Sequence, residues 1–109
     1  MASEKIYPKV GDHLYLRQRT GSYYVDAVRR PYTVVDVTPA HVYIQECKLI
    51  FTGPRYYDSL PDRIEDDKDG EILCLNWAPK KKQWQIDEYK TGYPEYAYFG
   101  EWDYYPYLD

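Results

Sequence analysis

Tyr32-Thr33-Val34-Val35-Asp36-Val37, then Thr38-Pro39-Ala40, then His41-Val42-Tyr43-Ile44-Gln45-Glu46 is the stretch that decides the fold. Its first part is dense in β-branched and aromatic residues, which suit a pleated, half-buried surface. Thr-Pro-Ala punctuates the run as a turn, and alternation resumes after it with Val42 and Ile44 on one face. The stretch is a β-hairpin. Cys47-Lys48-Leu49-Ile50-Phe51 either prolongs its second strand or bends into a further one.

Working outward, Val10-Gly11-Asp12 is a turn signal before His13-Leu14-Tyr15-Leu16-Arg17-Gln18-Arg19. Period-2 geometry puts Leu14 and Leu16 on one face, with Tyr15, Arg17 and Arg19 on the other. A further strand is expected at Tyr23–Val28 between Gly21 and Pro31. Toward the C-terminus, Ile72–Trp77 and Lys82–Ile86 flank Ala78-Pro79-Lys80-Lys81 as a second hairpin, with Trp84 and Ile86 sharing a face. Residues 52–70 between the hairpins are polar, and seven acids fall between Asp58 and Glu71. That segment reads as a long exposed acidic loop, with Leu60 and Ile64 at the spacing of one helical turn. Nowhere does a helical period persist for ten residues.

The expectation is an all-β fold: a small five- to six-stranded barrel over about residues 9–86, within one domain spanning 1–109. The Val10-Gly11-Asp12-x-Leu14-x-Leu16 opening, the long irregular connection and the two tight hairpins resemble the Src-homology-3-like (SH3-like) barrels. That resemblance implies ligand binding on an aromatic-lined face between loops. Residues 87–109 read as an irregular extension that either projects from the barrel or packs back and closes an open edge. They carry seven tyrosines, Phe99 and Trp102 among six acids, and Gly92, Pro94, Gly100 and Pro106 interrupt them.

The net charge is −4, unevenly divided. Residues 1–55 have eight Lys/Arg against five Asp/Glu, whereas residues 56–109 have six against thirteen. No apolar run approaches the ~18 residues of a membrane-spanning helix. The charged start MASEKIYPKVGD lacks the apolar stretch of a secretory signal, so no membrane and a cytoplasmic location are expected. Cys47 and Cys74 sit in apolar runs and are expected to be free thiols, with a disulfide as the alternative.

Catalytic patterns are thin. No Gly-x-Ser-x-Gly elbow or phosphate-cradling Gly loop is present, and Ser3, Ser22 and Ser59 have no adjacent base. Glu65–Ile72 partly matches a calcium loop, but Glu65 stands where Asp belongs and Asn76 where a bidentate Glu belongs. Cys47, Cys74, His13 and His41 lack the close ligand pairs of a zinc site. The expectation is therefore a non-enzymatic protein with no cofactor and no metal.

Two surfaces remain. Asp66, Asp67 and Asp69 of the acidic loop, with Tyr93, Tyr96, Tyr98, Glu101, Trp102, Asp103, Tyr104 and Tyr105, combine negative charge with large amphipathic side chains. Such a surface attracts a basic protein. In size, acidity and tyrosine content the chain is similar to small acidic phage-encoded inhibitors of nucleic-acid machinery, including anti-CRISPR proteins, which implies nucleic-acid mimicry. The alternative surface is Tyr15, Arg17, Arg19, Tyr24, Arg29 and Arg30, which suits nucleic acid or a nucleotide-like ligand through Arg–phosphate contacts and stacking on Tyr. An unpaired edge strand would also permit a homodimer.

Overall fold

A computed structural model describes residues 5–18, 29–54, 60–86 and 94–104. It is all-β. Eight strands run β1 (His13–Gln18), β2 (Arg29–Val37), β3 (Val42–Glu46), β4 (Lys48–Ile50), β5 (Arg63–Glu65), β6 (Ile72–Ala78), β7 (Gln83–Ile86) and β8 (Glu95–Phe99). Six of them close a barrel in the order β1-β2-β3-β6-β7-β8, with every pairing antiparallel. No helix among the described residues is long and apolar enough to cross a membrane.

Alternation builds the interior as the sequence predicts. Leu14, Leu16, Tyr32, Val34, Val42, Ile44, Leu75 and Trp84 are all buried in one cluster, and Trp77 and Ile86 pack against it. Each such aliphatic or aromatic side chain contributes about 1.5–3 kcal/mol on removal from water. Strand β2 has one irregularity, a register shift between Val34 and Asp36 opposite β3. The extra residue lets Val34 and Val37, an odd number apart, both face the core.

The barrel does not end at residue 86. Its closing strand is β8, drawn from the segment read as an irregular extension, and it pairs with β1 from Leu14↔Phe99 to Gln18↔Glu95. Acid and tyrosine density concealed a short alternating strand in which Glu95 and Ala97 face inward while Tyr98 faces out. Glu95 occupies an inward position because Arg30, opposite Leu16 on β2, answers its charge within the barrel. Of the two fates read for the extension, packing back onto the edge is the one this strand takes.

Two local readings also change. Ile64 lies on strand β5 and pairs with Leu49 of β4, so Leu60 and Ile64 do not form a helical turn. The Cys47 segment leaves the barrel at Cys47, whose amide donates to the Pro31 carbonyl (3.1 Å), and β4 forms a separate two-stranded sheet with β5. Cys47 is a buried free thiol and Cys74 a half-buried one. The strand expected at 23–28 lies outside the described residues.

Candidate functional site

The outer face of β2-β1-β8 follows from register. Thr33, Pro31 and Arg29 stand beside His13, Tyr15 and Arg17, and these stand beside Tyr98 and Tyr96. Tyr15 and Tyr98 stack with centroids 5.2 Å apart, and the Arg29 guanidinium lies 5.8 Å from the Tyr15 ring centre. Past β8 the chain reverses at Gly100, whose φ of +120° is a conformation glycine adopts without strain. Its amide donates to the His13 carbonyl (2.9 Å).

The returning segment then lies back over β1 and β2. Trp102 stacks on His13 at 3.7 Å and donates its indole N–H to the Tyr32 carbonyl (3.0 Å). Arg29 donates to the Asp103 carboxylate at 2.8 Å, and both side chains keep about a third of their surface exposed. An ion pair this open stabilises by less than about 1 kcal/mol, so Trp102 is the firmer anchor.

Opposite this segment stands the acidic loop. Leu60, Pro61 and Ile64 on one side, with Trp102, Asp103 and Tyr104 on the other, line a groove of about 180 Å³. Leu60 is 63% exposed although it is a large apolar side chain. The loop is held in place at several points. Asp62 accepts from the amide and hydroxyl of Thr52 (2.7 and 2.5 Å), and these bonds draw its pKa below the ordinary carboxylate value. Asp66 accepts from the Thr33 hydroxyl at 2.6 Å. Because Thr33 pairs with His13 across the strands, that bond sets Asp66 beside the position on which Trp102 is stacked.

Farther along, Gln45 donates to the Lys68 and Gly70 carbonyls (both 3.0 Å), and the Glu46 amide donates to the Glu71 carbonyl. A methyl group on Gly70 would lie 2.1 Å from the Glu46 carbonyl oxygen, so this close approach requires glycine. The Asp69 amide donates to the Asp67 carboxylate (3.0 Å), closing a tight turn over residues the sequence compares with a calcium loop. Beneath, Cys47 lies 3.4 Å from the same Thr33 hydroxyl, and burial pushes its thiol pKa up to about 11.

The expected surfaces thus separate unevenly. Trp102, Asp103 and Tyr104 wall the groove, Glu101 is exposed next to them, and Asp66 and Asp69 are exposed on the facing loop, where Asp67 is half-buried. Tyr98 is engaged with Tyr15, and Tyr96 is buried. Tyr93 and Tyr105 lie outside the described residues, as do Arg19 and Tyr24. Of the alternative set, Tyr15, Arg17 and Arg29 share the outer face. Arg30 instead turns inward to Glu95: burial works to lower its pKa, but the hydrogen bonds and charge of Glu95, with Tyr32, outweigh it and raise the pKa. Thr33 and Pro61 carry no site signal in the sequence and His13 reads there only as a rejected zinc ligand, because tertiary pairing is what recruits them. Comparisons with protein-family models, with curated proteins and with solved structures find no match to this chain.

Proposed function

We propose that this protein is a non-enzymatic binding module whose acidic, aromatic groove docks on a basic protein surface. The observation that carries the reading is the meeting of two segments some forty residues apart, Leu60–Ile64 and Trp102–Tyr104, in one groove; Glu101 is exposed next to Trp102 in the chain, and Asp66 and Asp69 are exposed farther along the loop that supplies Ile64. An exposed leucine and a fixed indole supply apolar contact area, while the carboxylates supply steering and specificity. A surface of this kind competes with phosphates for a protein that normally holds nucleic acid, in the manner of a nucleic-acid mimic. The closed six-stranded antiparallel barrel is compatible with a small SH3-like architecture, and two free thiols suit a reducing compartment.

Nucleic acid is the second reading. It has Tyr15 and Arg17 on the outer face in its favour, but Arg29 is engaged by Asp103 and Arg30 by Glu95, which reduces the positive charge offered to phosphates. Affinity capture from nuclease-treated lysate with the native chain and with a Glu101→Lys/Asp69→Lys variant separates the two. A basic protein that elutes with salt from the native chain and binds the variant about tenfold more weakly supports the proposal. Equal capture by both, or recovery of nucleic acid alone from untreated lysate, overturns it.

A further inference from the structure

Strand β8 follows β1 through Phe99 but pairs with β7 only at Gln85↔Tyr96 and Ile86↔Glu95, so beyond Tyr96 the barrel wall opens into a seam. The N-terminal segment reaches that seam and is fastened there. Trp84 donates its indole N–H to the Ile6 carbonyl (2.7 Å), and Lys5 Nζ and the Tyr7 hydroxyl both donate to the Pro39 carbonyl (3.1 and 2.7 Å). The Tyr7 and Trp84 ring centroids are 5.8 Å apart. Farther on, the Gly11 amide ties the segment to β2 through the Val34 carbonyl (2.8 Å).

A segment held at so many points is expected to bury its apolar side chains. This one does not. Ile6 is 69% exposed and Val10 63%, and Tyr7 between them is exposed as well. Ile6 and Phe99 line the seam together, and Phe99 is also exposed, so two segments share one apolar surface.

The charge around it is almost all positive. Lys82 lines the same seam, at the end of a turn in which the Lys81 and Lys82 amides donate to the Ala78 carbonyl (3.2 and 2.8 Å). Lys80, Lys81, Lys82 and Lys9 are exposed, and Lys5 stands 5.9 Å from the Trp84 ring centre. Residues 5–12 and 79–82 thus hold five lysines, no arginine and a single acid, Asp12, in a chain whose net charge is −4.

We propose that this end of the barrel rests on an anionic phospholipid bilayer, with Ile6, Tyr7 and Val10 entering the headgroup region and the lysines meeting the lipid phosphates and carboxylates. Exposed aliphatic side chains have no counterpart on a nucleic-acid backbone. Lysine without arginine is the reverse of what protein interfaces select. A bilayer answers both features, because shallow apolar insertion and a basic cluster are each marginal alone and sufficient together. The net negative charge does not oppose this, since exposed charges more than about 8 Å away are screened at physiological salt. Contact of this kind needs no membrane-spanning segment, and it uses none of the residues that line the acidic groove.

The test is flotation of the full chain with vesicles of phosphatidylcholine alone and of phosphatidylcholine containing about one-third phosphatidylserine. The protein floats with the anionic vesicles and not with the neutral ones, and salt releases it. Lys80→Gln/Lys81→Gln, on exposed side chains, weakens the partition about tenfold, and Ile6→Ser weakens it about threefold with its salt dependence retained. Absence of flotation with anionic vesicles at low salt, equal flotation with neutral ones, or a partition unchanged in the lysine variant overturns the inference. A single-stranded oligonucleotide that binds more tightly than the vesicles, with Ile6→Ser without effect on either, assigns the lysines to nucleic acid and overturns it too.

Discussion

Two hollows on this barrel are built from tryptophan, and they differ in what surrounds the ring and in what the indole nitrogen does. At the groove, Trp102 donates its N–H to the Tyr32 carbonyl and stands between Glu101 and Asp103 in the chain. At the seam, Trp77 has a buried N–H with no partner among the described residues, and Lys82 is among the lining residues. Aromatic area marks both places as contact surface. Charge and donor pairing distinguish the two, and the contact proposed for the first is an extended basic surface. Strand β8 links them, since Ala97 and Phe99 wall the seam and the chain leaving the strand at Gly100 builds the groove.

The largest effect should come from breaking both hollows at once. Glu95 is 1% exposed and pairs with Arg30 inside the barrel. Glu95→Ala leaves that guanidinium buried without its carboxylate and is expected to cost about 3 kcal/mol in urea unfolding, with both hollows weakened. Arg30→Met/Glu95→Leu removes both charges and is expected to recover most of the loss.

Glu95 also shows where the sequence ceases to be legible. Leu14 and Leu16, or Val42 and Ile44, declare their inward face by local alternation, and every one of them is buried. A glutamate at an inward position reads as surface unless its partner is known, and that partner is 65 residues away. By its sequence the closing strand therefore reads as irregular. Leu60 and Ile64 misled for a related reason: their spacing suits a helical turn, but pairing of Ile64 with Leu49 overrides it. At the site, the sequence supplied Trp102, Asp103 and Tyr104 from composition alone. It supplied no sign that Thr33 and His13 place the acidic loop against them, because register across strands carries that information.

A cut confined to the groove comes next. Trp102→Ala removes the stack on His13 and the bond to Tyr32, and for a half-buried ring about 2 kcal/mol is expected. Thermal unfolding of the variant reads this loss, and an unchanged melting temperature would mean that Trp102 does not anchor the returning segment.

Cys47 gives a chemical readout on the groove side, because it shares the Thr33 hydroxyl with Asp66. With its thiol pKa near 11, only about a thousandth is thiolate at pH 8. Iodoacetamide labelling at pH 8 should therefore be slow at Cys47 and accelerate as pH rises toward 11. The sign follows from a pKa raised on folding. Between the unfolded thiol's value of 9.0 and the folded value, the unfolded state binds fewer protons, so stability declines with rising pH. Rapid modification at pH 8, read by mass spectrometry, would mean the acidic loop does not hold this side of the barrel shut.

The smallest change has the opposite sign. Lys82→Gly relieves a left-handed backbone position and is expected to stabilise by about 0.5 kcal/mol, since gains there are offset by the greater chain freedom of unfolded glycine. A lower melting temperature would mean that the positive φ of Lys82 carries no strain that glycine relieves.

The most direct measurement is a titration of ¹⁵N-labelled protein with an arginine-rich peptide, following the Trp102 and Trp77 indole signals. The account predicts that the peptide moves Trp102 in a salt-sensitive way and leaves Trp77 in place. If the peptide leaves Trp102 unmoved at low salt, or moves both indoles alike, the acidic groove is not a docking surface for basic chains.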